Sequence, residues 1–196
     1  MQKLIVLIVL LGLLSLPLMA QDNPKVEVFG GWQYLHFGGD NSYIGNASKG
    51  WDSSLTANVN KHFGLTADFS DAYKTQNITS ETPEGIVSAN IHSHVYSYTF
   101  GPVVSMDSGG KINPFAHALF GGAHVTESGC VVLEEGSGCG LGSQNGFAMM
   151  LGGGVDVKAN KFMALRIPQV DWVYYRFNGV GESKNVRISA GVVFRF

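Results

Sequence analysis

The sequence predicts an all-β chain folded as an eight-stranded antiparallel up-and-down transmembrane β-barrel. Three observations carry that prediction. First, the last twelve residues alternate: Val186, Ile188, Ala190, Val192, Phe194 and Phe196 fall on one face of a strand, and Arg187, Ser189, Gly191 and Arg195 on the other, with Val193 the only apolar exception. Second, the chain opens on an export-type segment. Third, strand-like stretches are joined by connections that are alternately short and long, as in a barrel with turns at one membrane face and loops at the other. A soluble sandwich has no reason to segregate loop lengths in this way.

Residues 1–20 read as a cleaved signal peptide, with Lys3 as the positive start, an apolar run from Leu4 to Leu14, and a small-residue exit ending at Ala20. The run is short for a spanning helix and Pro17 interrupts its end, which disfavours an uncleaved anchor. Residues 21–196 then form one domain. The net charge is −2, which gives no electrostatic case for nucleic acid. Twenty-six glycines, many aromatics and only 14% charged residues suit packed strands better than helices. No later stretch approaches the roughly twenty apolar residues of a membrane helix.

Strand one runs from Val26 to Phe37, with Glu27 and Gln33 inside and Val28, Trp32 and Tyr34 outside. A polar loop from Gly38 to Lys49 follows. Gly50 to Asn60 places Trp51, Leu55, Ala57 and Val59 opposite Asp52, Ser54, Thr56 and Asn58. A tight turn at Asn60 to His62 leads to strand three, where Phe63, Leu65, Ala67 and Phe69 face outward. Ala72 to about Asn90 reads as a loop. Strand four, Ile91 to Val104, turns Tyr96, Tyr98 and Phe100 outward. In strand five, Ile112 to Val125, a histidine facing lipid costs more than apolar side chains facing a small lumen, so His117 is placed inside with Phe115 and Leu119. Thr126 to Asn145 reads as the longest irregular segment. Strand six alternates from Phe147 to Val157. Strand seven, Phe162 to Tyr175, has a parity conflict, because Arg166 is even-numbered while Gln169 and Asp171 are odd. A β-bulge at Pro168 brings all three inside. Asn178 to Lys184 reads as the final loop.

These features resemble the small eight-stranded outer-membrane barrels of the OmpA and opacity-protein kind. The carriers are the signal peptide, the Pro114-Phe-Ala-His-Ala-Leu-Phe-Gly-Gly122 strand, the Ala164-Leu-Arg-Ile-Pro-Gln-Val-Asp-Trp172 strand and the Arg187-Ile-Ser-Ala-Gly-Val-Val-Phe-Arg-Phe196 end. The resemblance covers Val26 to Phe196. It implies a bacterial outer-membrane location and an assembly signal at Val192, Phe194 and Phe196, read by the outer-membrane assembly machinery. The chain stops there, so a peptidoglycan-binding domain and a tether to the cell wall are not implied.

A barrel of eight strands is just wide enough for side chains to fill it. Glu27, Asp68, Asp156, Arg166, Asp171, Arg187 and Arg195 are therefore read as a mutually paired lumen network, since unpaired charge in low dielectric is costly. The alternative is a narrow ion path through shifting pairs. Cys130 and Cys139 lie in an exported chain and read as a disulfide, which the loop-entropy estimate makes stabilising by about 2 to 3 kcal/mol. The spacing fits no zinc pattern. His92 and His94 share a face near the rim, with His36 and His124 near strand ends, and all four read as solvated and not as metal ligands. No cofactor and no catalytic residue is assigned: the outward faces read as almost purely apolar, and Ser93 points away from its neighbouring histidines. The expected function is a non-enzymatic barrel embedded in outer-membrane lipid, whose loops meet an extracellular ligand or whose body supports the envelope. A narrow porin-like channel is the second reading and a lipid A-modifying enzyme the third.

Overall fold

A computed structural model describes residues 24–38, 48–82, 85–106, 110–133 and 136–196. The signal peptide expected at residues 1–20 and most of the loop expected after Gly38 lie outside the described residues. Eight antiparallel strands close into one barrel in sequence order. They are β1 (Val26–His36), β2 (Ser48–Asn58), β3 (Phe63–Thr82), β4 (Gly85–Ser105), β5 (Ile112–Leu133), β6 (Gly136–Lys158), β7 (Met163–Phe177) and β8 (Val180–Arg195). Closure leaves no sheet edge within the barrel wall, and every strand there is paired on both sides.

The barrel closes where β1 meets β8. Gly31 pairs with Gly191 there, and a Cβ on either glycine would collide with the opposing backbone. The same seam ends in backbone bonds from Lys25 N to Phe196 O (2.7 Å) and from Phe196 N to Val26 O (2.8 Å), so the terminal aromatic is tied into the wall. Both described chain ends lie at this end of the barrel, called here the terminal end. Two of its turns share one construction. The Asn60 side chain accepts from the backbone N–H groups of His62 and Phe63, and the Asn160 side chain accepts from that of Phe162, as an asparagine turn requires.

Alternation sorts the side chains as the sequence predicts. Trp32, Phe69, Phe100, Leu165 and Ile188 are exposed on the outer wall, while Gln33, Asp68, Thr99, Arg166 and Ser189 are buried inside. Val193, the apolar exception on β8, is fully buried in the lumen beside Phe29 and Ala164. The bulge expected in β7 is present: pairing with β8 skips from Arg166 to Gln169. That shift exposes Ile167 and Pro168 and turns Arg166, Gln169 and Asp171 inward.

The opposite end corrects the sequence reading. The segments read as loops at Ala72–Asn90, Thr126–Asn145 and Asn178–Lys184 are mostly strand. β3 and β4 stay paired out to Thr82 and Gly85, and β5 and β6 out to Leu133 and Gly136. Only Asn178 and Gly179 separate β7 from β8, both at positive φ, as the tightest hairpin turns require. These polar segments lack apolar alternation because both their faces lie clear of the apolar wall. Hydrogen bonding to the adjacent strand holds them without it.

Candidate functional site

The lumen is divided into two halves of opposite character. Toward the terminal end, the structure places all seven charged residues singled out above on one continuous chain. Glu27 pairs with Arg195 at 3.1 Å, and Arg195 with Asp156 at 3.3 Å. Asp156 accepts two bonds from Arg166, of 2.8 and 3.1 Å. The Arg166 guanidinium also lies over the Phe29 and Phe115 rings, at 4.8 and 4.2 Å from their centroids, a cation–π arrangement that shields it. Arg166 donates to Gln169, and Gln169 donates to Asp171 at 2.8 Å. Asp171 accepts from Arg187 at 2.9 Å and faces the His117 imidazole at 2.7 Å. Arg187 then bridges to Asp68 across the barrel. Pairing offsets the desolvation of each charge and couples strands that are not neighbours.

Sequence reasoning missed three members of this half. Asp52 contacts Arg187 at 3.6 Å, His117 touches Asp171, and Gln169 joins the two groups of charges. Their inward parity was legible, but which inward residues meet across the barrel was not.

Toward the hairpin end the lumen is closed by packed apolar side chains. Leu35, Val95, Leu119, Ala123, Met150, Val173 and Tyr175 form one buried cluster. Leu119, Ala123, Met150 and Val173 have no exposed surface at all. The Tyr175 hydroxyl is satisfied within the cluster by Ser97 at 2.9 Å, so burying it leaves no orphan donor. The cavity nearest the terminal mouth is about 40 Å³ and is lined by Glu27, Thr56, Asp68, Asn113, Arg166 and Arg195. That is room for a water or a small ion and little more.

A barrel with an apolar exterior, a polar half-lumen and a closing aromatic end has its counterpart among known sequences. The family model for the outer membrane protein beta-barrel domain matches residues 6–196. The chain belongs to that family. As an outer membrane β-barrel it resides in the bacterial outer membrane, and its exposed apolar belt faces lipid. Comparison with curated protein sequences returns no significant match.

Solved structures of the same architecture include Ail, the attachment invasion locus protein of Yersinia pestis, at 13% identity and a TM-score of 0.59, covering 89% of this chain and 99% of that one. Ail in complex with the heparin analogue sucrose octasulfate gives 14% identity and a TM-score of 0.60, over the same shares. The outer membrane protein OprG from Pseudomonas aeruginosa gives 11% and 0.52, covering 89% and 96%. At these identities the likeness is one of fold.

The lipid-facing wall of this outer membrane β-barrel holds a second departure from the sequence reading, which took it as almost purely apolar. Asp71 faces outward yet is only 6% exposed, and both its carboxylate oxygens lie 3.2 Å from Nδ1 of His94. His94 stacks between Tyr73 and Tyr96, at 5.8 and 5.7 Å between centroids. The pair is cross-strand, on β3 and β4, so no sequence spacing announced it. His92 bonds Thr75 through Nδ1 at 3.0 Å, and His124 bonds Asn145 at 2.7 Å. His36 is exposed at the end of β1. Among the described residues, no group of three or more His, Cys, Asp or Glu is placed to hold a metal ion.

Beyond the wall, β3 to β6 continue as a projecting sheet. The pairing of β2 with β3 stops at Lys49 and Tyr73, and that of β6 with β7 at Gly146 and Phe177. Cys130 and Cys139 are directly opposed in the β5–β6 register and joined by a disulfide. Leu141, 89% exposed, projects from the β6 margin of this sheet. At the other end of the chain, Phe194 and Phe196 stand exposed on the outer wall with Val192 half-buried beside them.

Proposed function

We propose that this chain is a non-enzymatic, non-conducting outer-membrane barrel that makes contacts at the cell surface through its projecting hairpins. The observation that carries this reading is the apolar closure of the lumen around Leu119, Met150 and Val173, directly beneath a stapled sheet that stands clear of the wall. An ion path needs continuous polar lining or a wet constriction, and packed apolar side chains supply neither. The charged half of the lumen then serves stability and register. Ail, named for attachment and invasion, has the same architecture and supports a contact role for the hairpins.

In this reading residues 1–20 direct export and are removed. Val192, Phe194 and Phe196 form the signal read by the outer-membrane assembly machinery. The partners are outer-membrane lipid around the belt and an extracellular ligand at the hairpins, with no cofactor and no nucleic acid. Planar-bilayer recordings of the purified protein test the non-conducting part, and regular current steps overturn it. Cells carrying a barrel trimmed of residues 128–141 test the contact role: adhesion to host-surface material falls if the hairpin carries it and is unchanged if it does not.

One observation favours a second reading. The Asp71–His94 pair has the form of an oriented general base, with a buried carboxylate fixing one imidazole nitrogen at a lipid-facing rim. Among the described residues, no serine is hydrogen-bonded to either member of the pair. Release of fatty acid from bilayer phospholipid by the wild type and its loss in His94→Ala would make the protein a lipid hydrolase.

A further inference from the structure

The lumen contains a group of oxygen atoms that its network leaves unsatisfied. Both carboxylate oxygens of Asp52, Oε1 of Gln33 and Oγ of Ser189 are buried and lack hydrogen-bond partners, and all three residues are 1% exposed. Strand register gathers them on one patch of wall. Gln33 pairs directly with Ser189 across the β1–β8 seam, and Asp52 pairs with Gly31, one inward position below Gln33. The Ser189 hydroxyl lies within interaction range of the Asp52 carboxylate, but the two form no well-shaped hydrogen bond. Orphaned buried polar atoms are rare, and several in one place call for an explanation, a bound ion or water among them.

Arg187 does not supply the missing partner. A guanidinium has five N–H donors in a fixed fork. Nε is directed to Asp171, Nη1 to Asp68 and Ser70, and Nη2 to Asp68 and Asp171. Asp52 is left with a 3.6 Å approach to Nη1 and no hydrogen bond. Charge balance points the same way. Asp52, Asp68 and Asp171 surround a single guanidinium, with the His117 imidazole on Asp171. Uncompensated charge in this setting is strongly unfavourable.

We propose that Gln33, Asp52 and Ser189 form a binding site for a monovalent hard cation, sodium in size and chemistry. Hard cations take oxygen ligands, and a site with one carboxylate and two neutral oxygens suits a single charge better than a double one. The small cavity at the terminal mouth reaches Asp68, which shares the Arg187 guanidinium with Asp52. The ion completes the charge balance around Arg187 and ties β1, β2 and β8 together at the seam. This site is independent of the surface-contact reading, which concerns the opposite end of the molecule.

The test uses protein purified from outer membranes in detergent. Its thermal unfolding is followed in sodium chloride and in N-methylglucamine chloride at equal ionic strength. The transition rises with sodium and saturates, and sodium NMR relaxation of the wild type shows a bound fraction. Ser189→Ala raises the half-saturating sodium concentration by about tenfold, as loss of one ligand of ordinary strength requires, and Asp52→Asn abolishes the sodium dependence. Identical transitions in the two salts with no bound sodium signal overturn the proposal, and the oxygens are then satisfied by water or by a proton on Asp52. The relaxation measurement needs no variant, so a variant that fails to fold does not block the test.

Discussion

Arg187 and Asp68 lie 119 positions apart in sequence and meet across the lumen through two parallel hydrogen bonds, of 2.9 and 3.2 Å. Their strands, β8 and β3, are not neighbours in the sheet. The pair therefore spans the barrel where wall pairing alone cannot, and the surrounding carboxylates depend on it.

Arg187→Leu strands Asp68 and Asp171 without a cation in a buried setting. The expected cost is about 3 to 5 kcal/mol, the usual penalty for removing one partner of a buried pair. Urea unfolding of the barrel in lipid vesicles measures it. Adding Asp68→Asn to that variant recovers part of the loss, because one uncompensated charge is gone.

Phe100 sits in the outward belt, 69% exposed, opposite Ala67 on β3 and Phe120 on β5. Phe100→Arg at this depth costs about 2 to 4 kcal/mol in a bilayer, whereas Phe100→Leu changes little. Equal stability of the two variants in vesicles would remove lipid from that face.

The Cys130–Cys139 bridge staples a hairpin that stands clear of the wall, so its loss is local. Cys130→Ser with Cys139→Ser leaves the heat-modifiable gel shift of the barrel intact but speeds proteolytic cleavage between residues 131 and 138. The hairpin loses up to about 2 to 3 kcal/mol of closure. A collapse of the gel shift itself would show that the hairpin supports the barrel.

Leu119 and Met150 are direct register partners at the centre of the apolar closure. Leu119→Ala with Met150→Ala costs about 2 to 5 kcal/mol per site and opens a gap in the closure. Bilayer recordings then show current steps in the double variant and none in the wild type.

The barrel wall was legible in the sequence because one physical boundary wrote it. Each wall strand has lipid on one side and lumen on the other, so Phe194 and Arg195 had to alternate whatever their partners. The same reasoning located the bulge at Pro168, since no regular strand turns Arg166, Gln169 and Asp171 to one side. The projecting strands were not legible, because Thr126 to Asn145 meets no such boundary and carries no alternation to read.

What the sequence determined by itself, then, was the side each wall residue faces, and with it the fold, the membrane and the inventory of buried charge. Only the tertiary structure decided who meets whom inside. Closure at a particular register brought Asp68 to Arg187, left Asp52 without a donor, set Asp71 against His94 on the lipid side and filled the upper lumen with Leu119 and Met150. Facing is a local property of a strand with period two, whereas pairing across the lumen depends on the stagger of all eight strands at once, which no single segment encodes.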